Sequence, residues 1–202
     1  MFTTTTQSKG IRHIAAIFCV MVVGTTLAPK AAADAWDKKT IVTFNAPVEV
    51  PGKVLQPGTY VFKVLDSASN RNILQIWDKD EKHLEATVLG VPDYRLMPAE
   101  KPVLNFEERP SGSPEALKAW FYPGENYGLE MVYPHMRAAE LAKRTNQNVL
   151  SMKDSVAKNM AKPNKTATDA SVQEMEKTDV TGVSPNGEPV ALEIVILAQP
   201  TR

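Results

Sequence analysis

Between Thr40 and Tyr133 the apolar residues recur at every second position in short runs. The runs are TIVTFNA (40–46), TYVFKVLD (59–66), RNILQIWD (71–78), LEATVLGV (84–91), VLNFEER (103–109), ALKAWFY (116–122) and GLEMVY (128–133), with VEV at 48–50 as a short edge piece. A period of two, enriched in Val, Phe and Tyr, predicts strands with one buried and one solvated face. Turn chemistry separates the runs: Pro-Gly at 51–52 and 57–58, SASN at 67–70, DKDEK at 78–82, PSGSP at 110–114 and PGEN at 123–126. Seven or eight antiparallel strands over this length predict a mainly β chain built as a small β-sandwich, with a partly closed β-barrel as the alternative.

The alternation assigns faces. Val42, Phe44, Tyr60, Phe62, Val64, Leu74, Ile76, Leu84, Ala86 and Val88 fall on the core side, followed by Leu104, Phe106, Leu117, Ala119, Phe121, Leu129, Met131 and Tyr133. Thr43, Lys63, Gln75, Glu85, Thr87, Asn105, Glu107, Lys118 and Glu130 fall on the opposite, solvated side.

After Tyr133 the pattern changes. Pro134 opens a run of good helix formers to Asn146, and SMKDSVAKNMAK carries a thin stripe of Val149, Met152, Val156 and Met160, so a helical segment is predicted over 135–162. Residues 163–189 are polar and are expected to be a disordered linker. VALEIVILA at 190–198 is apolar again and too short for a spanning helix, which predicts a strand-like segment over 190–202, pairing with its own sheet or with another molecule.

The first thirty-five residues differ in kind. Lys9 and Arg12 precede the apolar run HIAAIFCVMVVGTTLA, and Ala33 and Ala35 suit a peptidase that cuts before Trp36. The expectation is a signal peptide over 1–35, a β-sandwich domain over 36–134 and an exported product, periplasmic or extracellular, with no transmembrane span after cleavage. Removing 1–35 takes away three basic residues and one acidic one, leaving 20 Lys+Arg against 22 Asp+Glu, a net charge of −2. So small a balance gives no field for nucleic acid. The single cysteine, Cys19, leaves with the leader, so the exported chain must be stabilised by its core rather than by disulfides.

Candidate chemistry is sparse. Asp78, Asp80, Glu81, His83 and Glu85 place oxygen donors close together but lack the central Gly and distal Glu of a calcium-binding loop, and read as a charged hairpin turn. The two histidines after residue 35, His83 and His135, lack zinc-ligand spacing. No nucleophile elbow, thiol or Gly-rich phosphate loop follows the leader, so no catalytic residue, metal site or cofactor is assigned. The aromatic residues remain. Alternation places Trp77, Trp120 and Tyr122 on the polar face, with Tyr94 and Tyr127 at the rim, where exposed rings suit sugar stacking or a partner surface. The competing expectation is that the C-terminal part of the chain covers them as a second core.

Trp36-Asp37-Lys38-Lys39-Thr40, Pro51-Gly52, Gly58-Thr59-Tyr60 and Phe106-Glu107-Glu108-Arg109 resemble a group of exported bacterial β-domain proteins with no established activity, over about residues 36–145. The resemblance implies a shared exported β domain and carries no site residues. The functional expectation is an exported, non-enzymatic envelope module contacting a cell-envelope protein or polysaccharide. The alternatives are a carbohydrate-binding module using Trp77, Trp120 and Tyr122 and, behind it, a hydrolase whose site forms only in three dimensions.

Overall fold

A computed structural model describes residues 38–67, 70–107, 112–160 and 162–193. The leader assigned to 1–35 and most of the apolar run at 190–198 lie outside them. The chain is mainly β, as the alternation predicts. Its strands are β1 (Thr40–Phe44), β2 (Val48–Val50), β3 (Lys53–Leu55), β4 (Gly58–Val64), β5 (Ile73–Asp78), β6 (Leu84–Tyr94), β7 (Val103–Glu107), β8 (Glu115–Phe121) and β9 (Tyr127–Met131). They join in one large sheet in which β1, β4, β5, β6, β9 and β8 are successive neighbours. β7 pairs with β8, and the β2–β3 hairpin attaches to β8 through a short parallel pairing of Val48 and Glu49 with Glu115 and Ala116.

β6 is the joint of this sheet. Its first half pairs with β5, from Trp77↔Leu84 to Ile73↔Leu89, and its second half pairs with β9, from Gly90↔Met131 to Tyr94↔Tyr127. A strand that changes partner midway lets the sheet fold over on itself. Two residues make the change possible. A Cβ on Gly90 would stand 2.9 Å from Leu129 Cβ, so only glycine permits the approach. Pro92 has no N–H to offer and sits in the half of β6 that no longer pairs with β5. The fold-over brings the far ends together: Trp120 on β8 donates its indole N–H to Thr40 Oγ1 on β1 at 3.0 Å. The sheet does not close into a barrel.

Between the layers lies the main core. Val42, Phe44, Phe62, Val64, Leu74, Ile76, Ala86 and Val88 face Val48, Val50, Leu55, Leu117, Trp120, Leu129 and Met131. Most of the core expected from alternation is there, although Tyr60, Leu84, Leu104 and Phe106 are only half-buried.

The second half of the chain departs further from expectation. α1 (His135–Thr145) forms as predicted and buries Ala138, Leu141 and Ala142, ending on Asn146 in the left-handed conformation. The predicted second helix is shortened to α2, and its first residues, Ser151 and Met152, belong to a strand. β10 (Tyr133–Pro134), β11 (Val149–Met152), β12 (Thr181–Val183) and β13 (Pro189–Val190) build a second small sheet, leaving only α2 (Asp154–Ala157) helical before α3 (Ala170–Glu176). All four residues of β11 are buried, and Val149 and Leu150 belong to different cores. A helix would have put that stripe on one side, whereas a strand serves two.

The linker expected over 163–189 is corrected as well. α3 buries Val172 and Met175 completely, and β12 buries Val183. Val172 and Met175 join Leu65, Ile73, Leu89, Val132, Leu150, Met152 and Met160 in a second core on the outer face of the sheet, whereas Val183 belongs to the main core. The composition concealed this because few apolar residues do the packing and polar groups do the docking. Gln75 Nε2 donates to the Asn164 carbonyl at 2.8 Å, and Asn164 Nδ2 donates to the Asn159 carbonyl at 2.6 Å. Gln75 and Thr87, assigned to solvent, are therefore buried beneath Met160, Asn164 and Lys165.

Glu49 on β2, also buried, takes a two-pronged contact from Arg137 of α1, Nε and Nη2 donating at 2.5 and 2.6 Å. Removing one partner of a buried pair strands the other. Arg137→Met should cost about 2–3 kcal/mol, less than a fully enclosed pair because Arg137 is partly exposed, and Glu49→Gln added to it should recover part of the loss in urea unfolding. Gly128 is tighter still: a Cβ there would meet Phe121 Cδ1 at 2.3 Å and the Trp120 carbonyl oxygen at 2.6 Å. Gly128→Ala should cost about 1–3 kcal/mol, while Gly58→Ala, whose nearest atom would be at 3.6 Å, should cost less than about 1 kcal/mol on the same measurement.

Candidate functional site

The four aromatic residues assigned to an exposed face divide into three environments. Trp120 is buried in the main core, and the reason is a β-bulge. Asn105 pairs with Ala119 but Phe106 pairs with Leu117, so Lys118 is an extra residue on β8. An extra residue reverses the alternation beyond it. Leu117 and Trp120 therefore face the same interior, while Ala119 and Phe121 face outward under other cover. The expectation that Trp120 stands with Lys118 on a polar face is overturned. Tyr122 follows Trp120 inward and is half-buried at the rim, edge-on to it at 6.4 Å, with the Lys38 ammonium 5.1 Å from its ring centre.

Trp77 does lie on the outer face, yet it is buried too. Residues 164–165 cover it: Gln75 Oε1 accepts its indole N–H at 3.3 Å while the same amide holds Asn164, and Lys63 and Lys165 place ammonium groups 5.0 and 5.8 Å from the ring centre. Later sequence covers this ring, although it lies outside the second core. Neither indole is presented to a ligand.

Tyr94 is the one of the four that is open, at 68% exposure, and it has company that the sequence pattern did not single out. Leu96 and Met97 are 70% and 73% exposed in the same loop. The loop between β6 and β7 is held from both ends. The Arg95 amide donates to the Asn126 carbonyl at 2.8 Å, and the Gly124 amide donates to the Ala99 carbonyl at 2.8 Å, which ties the loop to the β8–β9 turn. The Arg95 guanidinium lies 5.4 Å from the centre of the Phe121 ring, and Tyr94 meets Tyr127 edge-on at 5.8 Å. Burial raises the pKa of the Tyr127 phenol above its ordinary value, and burial also raises that of Asp93 at the loop's base. Both shifts favour the neutral form, so the apolar rim lies beside groups that resist ionisation.

A second feature lies where Phe44, Pro47, Val48, Phe106 and Pro114 line an open hollow of about 610 Å³, with Glu115 at its edge. Among the described residues its walls are chiefly apolar and bring no pair of ionisable side chains together. The Asp78–Lys82 cluster is a hairpin turn: Asp78 accepts the Lys82 amide at 2.7 Å and pairs with His83 Nδ1 at 2.8 Å, and Glu81 pairs with Lys39 and Lys63. The His83 contact, first, holds the Asp78 carboxyl below its ordinary pKa. Among the described residues no group of three or more His, Cys, Asp or Glu side chains is arranged to hold a metal ion, and no helix is long and apolar enough to cross a membrane.

No protein-family model, no curated protein and no solved structure matches the chain.

The placement of Trp120 has a direct consequence. Thr40→Val removes the acceptor of its buried indole N–H and should cost about 1–3 kcal/mol, and Trp120→Ala should cost about 3–5 kcal/mol. Thermal unfolding checks both; a Trp120→Ala protein with an unchanged melting temperature would restore the ring to the surface.

Proposed function

We propose that this chain is an exported, non-enzymatic binding module of the cell envelope, and that it engages a protein partner through the loop bearing Tyr94, Leu96 and Met97. The observation that carries the reading is the exposure of three large apolar side chains on one loop that backbone hydrogen bonds fasten to the neighbouring turn. An isolated exposed apolar residue is ordinary, but three on a fastened loop form a patch that water solvates poorly and that a partner can cover without first ordering it. Tyr and Met are also residue types favoured where protein surfaces meet. The leader-like start of the chain and its resemblance to exported β-domain proteins support the compartment.

A protein partner fits this surface better than a polysaccharide. Sugar stacking uses flat ring faces flanked by hydrogen-bonding groups. Here the aromatic ring is flanked by Leu96 and Met97, and the two indoles that would have extended a platform are buried.

The test uses the secreted chain and isolated envelope fractions. Replacing Tyr94, Leu96 and Met97 together with Ser should weaken retention about ten- to a hundredfold, as expected for removing central apolar anchors, with the melting temperature shifted by no more than about 2 °C because the side chains are exposed. Protease treatment of the envelope should abolish retention of the unaltered chain. Equal retention of the triple variant would refute the loop's role, and retention that survives protease but disappears after polysaccharide digestion would refute the protein partner.

A further inference from the structure

From residue 36 onward sulfur occurs in one residue type. Cys19, Met1 and Met21 lie in the segment expected to be removed, and the rest of the eight methionines are Met97, Met131, Met136, Met152, Met160 and Met175. With no thiol to compete, these thioethers are the most readily oxidised groups of the exported chain, and access decides which of them reacts. The fold divides them into two sets. Met131, Met152, Met160 and Met175 are sealed in the two cores, none more than 2% exposed, whereas Met97 and Met136 are 73% and 75% exposed.

The two exposed residues differ in setting. Met136 stands in the first turn of α1 between His135 and Arg137, its amide donating to Asp154 Oδ1 at 3.2 Å. Met97 stands beside exposed Leu96, midway between two backbone anchors, since Arg95 is bound to Asn126 and Ala99 to Gly124. Its thioether therefore belongs to the apolar surface of the Tyr94 loop. A sulfoxide at that position replaces a polarisable apolar group with a strong S–O dipole. Such a group gives up its water only against a hydrogen-bond donor, so an apolar partner surface fits it poorly.

We propose that Met97 is a site of oxidative modification by peroxide, and that its sulfoxide releases the partner docked on the Tyr94 loop. The sulfur lone pair attacks one peroxide oxygen, and the O–O bond breaks as the S–O bond forms. The departing hydroxide takes the proton of the transferred hydroxyl and leaves as water. Sulfur is oxidised by two electrons and peroxide is reduced by two. The step is reversible by a dithiol-dependent sulfoxide reductase, which returns the thioether, oxidises the dithiol to a disulfide and releases the oxygen as water. Release of the partner rests on the docking role proposed for this loop, whereas the chemistry at sulfur does not.

The test takes the secreted chain through two measurements. After brief treatment with hydrogen peroxide and its removal by catalase, peptide mapping by mass spectrometry should find sulfoxide forming at Met97 and Met136 at least about tenfold faster than at the four buried methionines. Met97 reacting no faster than Met131 would overturn the modification site. The oxidised chain is then applied to envelope fractions. Its retention should fall about three- to tenfold. The fall should persist in Met136→Leu, while Met97→Leu should keep its own starting retention through the same treatment. Methionine sulfoxide reductase with dithiothreitol should restore the oxidised chain, and a loss it does not reverse would overturn the proposal by pointing to damage elsewhere. Undiminished retention of the oxidised chain, with the Ser-substituted loop variant lost, would overturn the release and leave the docking reading standing. Undiminished retention of both would overturn the two together.

Discussion

The double pairing of β6 is the constraint on which the remaining architecture depends. One strand hydrogen-bonds to β5 along its first half and to β9 along its second, and the exchange occurs at Gly90, where any side chain would collide with Leu129. From this joint the two halves of the sheet diverge and fold back over a shared core. The contact between Trp120 and Thr40 exists because of that fold-back, since four strands separate β8 from β1 along the sheet. Pro92 reinforces the arrangement by denying β5 a donor where it would otherwise continue to pair. A straight β6 would leave a flat sheet with two exposed faces and nothing to bury Phe62 against.

Folding over buries one face of the sheet and leaves the other to be covered by sequence that follows. Residues 149–192 do this with a sparse apolar set, and the contact is completed by polar groups. Gln75 is central to it: one amide binds the carbonyl of Asn164 and accepts the indole proton of Trp77, so a single side chain fastens the covering segment and satisfies the ring beneath it. Buried polar groups are tolerated when each finds a partner, and they then specify one register of docking more sharply than apolar contact alone. The outer face is therefore an interior held by directional bonds, which is why a polar strand face proved to be buried.

This also explains what could be read in advance. The strands of the first half were legible because period-two alternation, β-branched residues and Pro-Gly turns all agree there, and α1 was legible from Pro134 and the helix formers after it. β11 was not, because Val149–Met152 is buried on both faces, and a strand of that kind has no alternation to show. The segment around α3 was not, because its burial depends on Val172, Met175 and hydrogen bonds to residues some ninety positions away. Trp120 was misassigned for a third reason. The bulge at Lys118 inserts one residue and reverses every facing beyond it, and nothing in ALKAWFY marks the insertion.

The stretch WFYPGENY shows how these errors bear on function. Four aromatic residues close together suggest a platform, yet the fold sends them to different tasks. Trp120 goes to the main core, Phe121 to the opposite side under Arg95, Tyr122 to the rim beside Lys38, and Tyr127 to the base of the loop that carries Tyr94. Their clustering reflects the needs of a strand buried on both faces that ends in a tight turn at Gly124. What the cluster provides to the neighbouring loop is support: Phe121 seats Arg95, Tyr127 backs Tyr94, and the turn amide of Gly124 holds Ala99. The residues left exposed, Leu96 and Met97 beside Tyr94, lie on a stretch that alternation cannot describe, fastened by backbone hydrogen bonds to the neighbouring turn.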